Sequence, residues 1–390
     1  MNCTTLNILK SSFWQKPIPS EEITSEVYQE LYDQTISVLV YDVIGHCKVD
    51  DTLKMKWTEA FARQVATFVN YLEEQERLVT LLQSKGYTPA ILKGLSAAMY
   101  YPEPAYRAVG DIDFLPFPRE NDGVEKISEL LRNSGFIFSE DNNPRHLGFS
   151  KNGISYEMHR YFSMKETKGE KEIDELIEGS TVVERCLKGW PEYHFYSFPD
   201  EINGLIFLQH INQHLISGLG LRQIIDWMFF VESVVTDEFW KQTLKPLTDK
   251  VGLTTLAITV TKMCEIYLEE PKHSWAATAD EKVCRELFQL LDESGNFGRK
   301  KNRKDNSVTT VLNQRAGGFK GLQQRGLHHW PAAQKHRILR PFAWLYQIGR
   351  YIKKGLFERD KNSEGLWASY KRHKEQDRLF KKLGLWKYRK

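Results

Sequence analysis

Between residues 89 and 165 the apolar residues of this chain change their period. Upstream, EVYQELYDQTISVLVYDVI and TEAFARQVATFVNYLEEQERLVTLLQSKGY repeat apolar positions at spacings of three and four. Downstream, EINGLIFLQHINQHLISGLGLRQIIDWMFFVESV does the same. That is the period of helices burying one face. In between, AIL, DIDFLPF, FIFSE, HLGFSK and ISYEMHRYF are short runs that alternate or are continuously apolar, with glycine and proline between them and one helical segment, VEKISELLRNSGF. These read as strands. The pattern implies an α+β fold, a small mixed sheet embedded between N-terminal and C-terminal helical regions. The divisions are 1–88 helical, 89–165 the mixed core, 166–297 helical, and 298–390 a basic, mainly helical region. SGNFGRKKNRKDNS at 294–307 reads as a linker or loop. No internal repeat is visible.

At 390 residues the chain is long for a single core, and 41% hydrophobic residues suffice for packed interiors. No apolar run approaches the roughly 18 residues of a membrane-spanning helix. The N-terminal MNCTTLNILKSSFWQKPIP has no long apolar stretch or small-residue cleavage site, so no signal peptide is expected. Cys3, Cys47, Cys186, Cys264 and Cys284 are scattered and form no CxxC, which suits reduced thiols in a cytoplasmic protein. The net charge of +3 conceals an asymmetry: from Arg299 onward 25 Lys and Arg face 6 Asp and Glu, leaving the preceding residues at −16. A basic end on an acidic body suits an anionic partner, a membrane surface, or the acidic body itself.

AYRAVGDIDFL at 105–115 places Asp111 and Asp113 one residue apart in an apolar strand. Residues i and i+2 share a strand face, so the two carboxylates point the same way. They repel and raise one another's pKa unless a cation intervenes. Hard divalent ions such as Mg²⁺ take oxygen ligands of this kind. Glu157, in ISYEMHRYF and on the face opposite Tyr156 and Met158, is the candidate third acid. The competing reading puts the aspartates on an exposed edge and pairs Glu157 with Arg107 or Arg160. LKGLSAAMYY, about 17 residues upstream, adds a strand end, a glycine and a helix start, the arrangement that turns backbone N–H groups toward a phosphate. Lys93 adds a charge there and Ser96 a hydroxyl.

ILKG, YYPEPAYRAVGDIDFL and ISYEMH together resemble the uncharacterised nucleotidyltransferases of the DNA-polymerase-β-like superfamily. The resemblance has its core at residues 91–159, with weaker similarity on either side reaching the His214–Asp226 region. It implies that Asp111 and Asp113 bind catalytic Mg²⁺ or Mn²⁺, that Glu157 is the third carboxylate, and that Gly94 marks the phosphate-binding turn. The superfamily usually has Gly-Ser at that turn, where this chain has Lys93-Gly94 with Ser96 two residues on. The implied reaction is attack of an acceptor hydroxyl on the α-phosphate of a nucleoside triphosphate, ATP being the expected one, with pyrophosphate leaving. The acceptor stays open among a small molecule, a sugar, a protein and an RNA end. Two ions roughly 4 Å apart serve the attacking and leaving oxygens in such chemistry.

Lys93 and Arg107 are candidates for neutralising the β- and γ-phosphates. For Arg107 an ion pair with Asp111 or Asp113 competes equally. His159 shares the Glu157 face and suits a phosphate contact, proton transfer or a structural role; His146 is read the same way. His210 and His214 lie four apart without the acid or cysteine a zinc site wants. Arg222 and Asp226 repeat that spacing and most simply form a helix salt bridge. By the resemblance this helical part closes over the nucleotide, making His214, Arg222 and Asp226 second-rank site residues. In HRILRPFAWLYQIGRYIKKGLFE, Phe342, Leu345, Ile348 and Ile352 recur near helical spacing, either as an interfacial helix or as one laid on the protein. A catalytically weak binding module of the same fold, and an accessory protein acting through its basic end, are the competing functions.

Overall fold

The structure, a computed structural model, describes residues 1–294 apart from 121, 140–142, 164 and 166, and then 323, 326–327, 329–357 and 366–385. The expected linker at 294–307 falls, after Ser294, outside the described residues. Seven strands form one mixed sheet: β1 (Thr88–Ile91), β2 (Ile112–Phe117), β3 (Ile137–Phe138), β4 (His146–Lys151), β5 (Ile154–His159), β6 (Val183–Leu187) and β7 (Trp190–Ser197), in the order β3-β4-β5-β2-β1-β7-β6. β2 runs antiparallel to β1 and parallel to β5. β7 adds to the far side of β1 in parallel. The hairpin β6–β7 was not evident in the pattern, because VERCLKGWPEYHFYS is largely polar and exposed along much of its length. Its place at the sheet edge removes the need for an apolar signature on both faces.

Each sheet face has its own core. Ile112, Phe114, Tyr156 and Met158 point to one, packed against Phe68, Leu72 and Leu82 of the 33-residue helix Asp51–Gln83 and against Ile127 and Leu131 of helix Gly123–Asn133. Ala90, Leu92 and Leu115 point to the other, built from the N-terminal helices and the helices between 200 and 291. The alternation of β2 therefore sends Asp113 to the second face, beneath helices Asp200–Ser217 and Leu221–Val234. Asp50 caps the long helix, accepting from Leu53 N at 3.0 Å.

The two helices over the site pack closely at Gly204, where a methyl group would lie 2.8 Å from Phe230 Cζ and 3.2 Å from Leu244 Cδ1. Alanine gains about 1 kcal/mol of helix propensity. Overpacking a rigid core costs about 1–3 kcal/mol. Gly204→Ala is therefore expected to lower stability by roughly 1 kcal/mol in denaturant unfolding; a stabilised variant would contradict this packing.

The C-terminal helix Leu366–Lys382 docks its end on the body: Leu379 and Phe380 are buried, and Lys382 Nζ contacts both Glu286 oxygens at 2.7 and 2.8 Å. Part of the basic end thus meets the acidic body. Helix Ala343–Phe357 follows the sequence expectation, with Phe342, Leu345 and Tyr346 exposed. Among the described residues no helix is long and apolar enough to cross a membrane.

Candidate functional site

The register of three strands assembles the acids. Asp113 of β2 stands directly opposite Glu157 of β5, and His146 of β4 opposite His159. Asp111 lies one residue before β2 on the face of Asp113. One oxygen from each of Asp111, Asp113 and Glu157 lies within 4.8 Å of the other two. The sheet interior therefore holds these acids, and the exposed-edge arrangement does not occur.

Lys93 and His159 converge on Asp113, whose Oδ1 accepts from Lys93 Nζ at 2.8 Å and from His159 Nε2 at 2.8 Å. Burial alone would push the Asp113 carboxyl up, but Lys93 and His159 outweigh it and hold it well below the usual carboxylate range. Asp111 behaves oppositely. The neighbouring charge of Asp113, then burial, push it up to about 6, with Lys93 and Arg222 opposing. A carboxylate held up by a like charge is stabilised by any cation placed between the two. Oxygen donors so close, on three carboxylates, form a set that fits a hard divalent ion. Glu157 also faces His146 Nδ1 at 3.2 Å and His159 Nε2 at 3.6 Å.

Lys93 and Gly94 follow β1 at the turn into the single helical turn Leu95–Ala98. Gly94 has φ +55° and ψ −117°, a backbone state that side-chain-bearing residues rarely adopt. The turn carries Lys93 to the acid centre. Ser96 does not reach it. Its side chain is fully buried, 2.7 Å from Ser197 Oγ and 3.3 Å from Asn203 Oδ1, and links its helical turn to β7 and helix Asp200–Ser217.

Arg107 forms its ion pair with Asp226 rather than with Asp111 or Asp113. Its guanidinium makes a bidentate pair with Asp226, Nε to Oδ1 at 2.8 Å and Nη2 to Oδ2 at 2.8 Å, and is 3% exposed. Tyr101 Oη donates to the same Asp226 Oδ1 at 2.7 Å. The expected Arg222–Asp226 helix pair yields to this longer-range one, because Arg107 lies deeper and satisfies both carboxylate oxygens. Arg222 instead donates to Ala108 O at 3.0 Å, while Tyr71 Oη donates to Gly110 O at 2.8 Å. Arg107, Arg222 and Tyr71 thus hold the loop that delivers Asp111.

Helix Asp200–Ser217 lies over the acids. His210, with its ring 4.5 Å from that of His214, is held well below its ordinary pKa by burial and by the charges of His214, Lys93 and Arg222. Two residues absent from the sequence reading also belong here. Arg145 precedes His146, and its Nη1 lies 3.5 Å from Gln213 Oε1. Arg145 Nε, Gln213 Nε2 and Arg222 Nε are buried donors with no hydrogen-bond partner. Buried guanidinium donors left over in this way suit an anion. The only sequence signal for Arg145 was its position next to His146.

Comparison with solved structures finds an antigenic nucleotidyltransferase-like protein from Paracoccidioides brasiliensis, at 14% identity and a TM-score of 0.35, over 53% of this chain and 95% of that one. A search of curated proteins finds no match. The family described as uncharacterised nucleotidyltransferase matches residues 21–269, a span containing every strand, the three acids and the helices above them. The chain belongs to that nucleotidyltransferase family.

Proposed function

We propose that the chain transfers a nucleoside monophosphate from a nucleoside triphosphate to a hydroxyl-bearing acceptor, releasing pyrophosphate, with Asp111, Asp113 and Glu157 as ligands for Mg²⁺ or Mn²⁺. The observation that carries this reading is the convergence of three carboxylates from β2 and β5 within 4.8 Å. When bound, the ions supply charge neutralisation at the α-phosphate and activation of the attacking oxygen. The chain's own groups do the rest. Asp111 and Asp113 would hold the ions on their shared face, and Glu157, on the neighbouring strand, would accept the proton of the acceptor hydroxyl. Lys93, at the acid centre, and the unpartnered donors of Arg222 and Arg145 neutralise the polyphosphate. The Gly94 turn brings backbone close to it. Helix Asp200–Ser217 excludes water, with His210 and His214 toward the nucleotide. ATP as the nucleotide, the acceptor classes named above, a cytoplasmic site of action and an anionic partner for the basic end are further parts of this proposal.

A second reading has its own support. Ser96 and Arg107, both expected at phosphates, are committed to buried structural contacts. A protein that binds nucleotide without turning it over would tolerate those losses. Incubation with Mg²⁺ and each α-labelled triphosphate separates the two. Transfer of label with pyrophosphate release, lost in Asp113→Asn, is the outcome expected of an enzyme. Release that survives that substitution would sink the metal assignment, and tight binding without release would favour the binding module.

A further inference from the structure

Glu157 belongs to two clusters, and the second contains nitrogen. His146, Glu157 and His159 each offer a ligand atom, all within 4.8 Å of one another. The β4–β5 register sets the two histidines directly opposite each other, and their rings pack edge to face with centroids 5.3 Å apart. His146 Nδ1 lies 3.2 Å from Glu157 Oε2, and His159 Nε2 lies 3.6 Å from the same oxygen; in the metal-free protein His159 Nε2 donates to Asp113 Oδ1 at 2.8 Å, a proton that ion binding would displace. In a metal site with bonds near 2.1 Å, neighbouring ligand atoms are separated by about 3.0–3.4 Å, depending on octahedral or tetrahedral geometry. The His146–Glu157 separation falls within that range and the His159–Glu157 separation lies just above it.

An ordinary hydrogen-bonded role does not account for His146. Its side chain is 10% exposed, and Nδ1 is buried without a hydrogen-bond partner although the Glu157 oxygen is close. A buried nitrogen left unpaired beside a carboxylate is a group that wants a ligand.

We propose that His146, Glu157 and His159 form a second divalent-cation site, selective for a borderline transition ion such as Zn²⁺ or Co²⁺, that shares Glu157 with the carboxylate site. Two imidazoles and one carboxylate are an established ligand set for such ions with positions left open, whereas Mg²⁺ prefers oxygen alone. The inference rests on the proposed function only through the shared Glu157. It assigns to the β4 side a metal preference that the three acids alone would not create.

The test is a Co²⁺ titration of the full chain without nucleotide, followed by visible d–d absorption and by the paramagnetically shifted imidazole resonances. The wild type is expected to show nitrogen-ligated Co²⁺. His146→Ala and the size-conserving His146→Asn are each expected to weaken that binding at least tenfold. Circular dichroism and melting confirm that the variants are folded; if one histidine variant unfolds, the other carries the comparison. Unchanged Co²⁺ affinity in a folded His146 variant, or a purely oxygen-ligated spectrum in the wild type, would overturn the site. Failure of Mg²⁺-dependent nucleotide binding with Co²⁺ binding intact would count against the proposed function and support this site alone.

Discussion

Asp111→Asn and Asp113→Asn are both expected to cripple the proposed nucleotidyl transfer, yet to move stability in opposite directions. Each removes a proposed ligand of the reacting centre, and the expected loss in kcat/KM is on the order of a thousandfold, equivalent to about 4 kcal/mol of transition-state stabilisation. Asp111 is pushed up to about 6, first by the charge of Asp113 and then by burial. A carboxylate whose pKa rises on folding favours the folded state below its unfolded value and loses that contribution as pH passes through about 6. At pH 8 the repulsion is fully expressed. Asp111→Asn relieves it and is expected to raise stability of the metal-free protein by up to about 3 kcal/mol there, with the gain shrinking toward pH 4. Asp113→Asn strips Lys93 and His159 of a shared carboxylate and is expected to cost about 3 kcal/mol. Denaturant unfolding at pH 4 and pH 8 checks both signs. A destabilised Asp111→Asn at pH 8 would contradict the like-charge account.

Breaking the Arg107–Asp226 pair is expected to be the most damaging single change to the fold. Both side chains are 3% exposed, and both carboxylate oxygens are used. Truncating either partner leaves a buried charge, at a cost of about 3–5 kcal/mol. Arg107→Ala, Asp226→Ala and the double variant form a cycle in which the double costs less than the sum of the singles. The loop bearing Asp111 hangs from Arg107, so folded variants are also expected to lose activity more in kcat than in KM. Additive stability effects with only a raised KM for nucleotide would return Arg107 to the phosphates.

The acids were legible in the sequence because a strand's period of two is written in single residues. Asp111 and Asp113 alternate with Ile112 and Phe114, and Glu157 alternates with Tyr156 and Met158. That β2 and β5 are neighbours, with Asp113 opposite Glu157, came from topology, which spacing does not encode. The same limit explains Arg107. Its closeness in sequence to Asp111 suggested a role at the acids, whereas its partner lies 119 residues away on another helix. Arg222 and Asp226 had the spacing of a helix pair, but a deeper cation took the carboxylate. Ser96 had a hydroxyl at a plausible place, and its partners Ser197 and Asn203, more than 100 residues on, could not be read from local spacing. His146 and Arg145 sit at the start of a strand whose register alone gives them meaning. The β6–β7 hairpin was silent because an exposed edge tolerates polar residues on both faces.

The central claim is that Asp111, Asp113 and Glu157 make a divalent-cation site for a nucleoside triphosphate. Calorimetric titration with a non-hydrolysable triphosphate, in Mg²⁺ and in EDTA, addresses it without needing the acceptor. The account predicts binding in Mg²⁺ that weakens at least tenfold in EDTA and in Asp111→Asn. Equal affinity with and without Mg²⁺, or binding unaffected by Asp111→Asn, would contradict it.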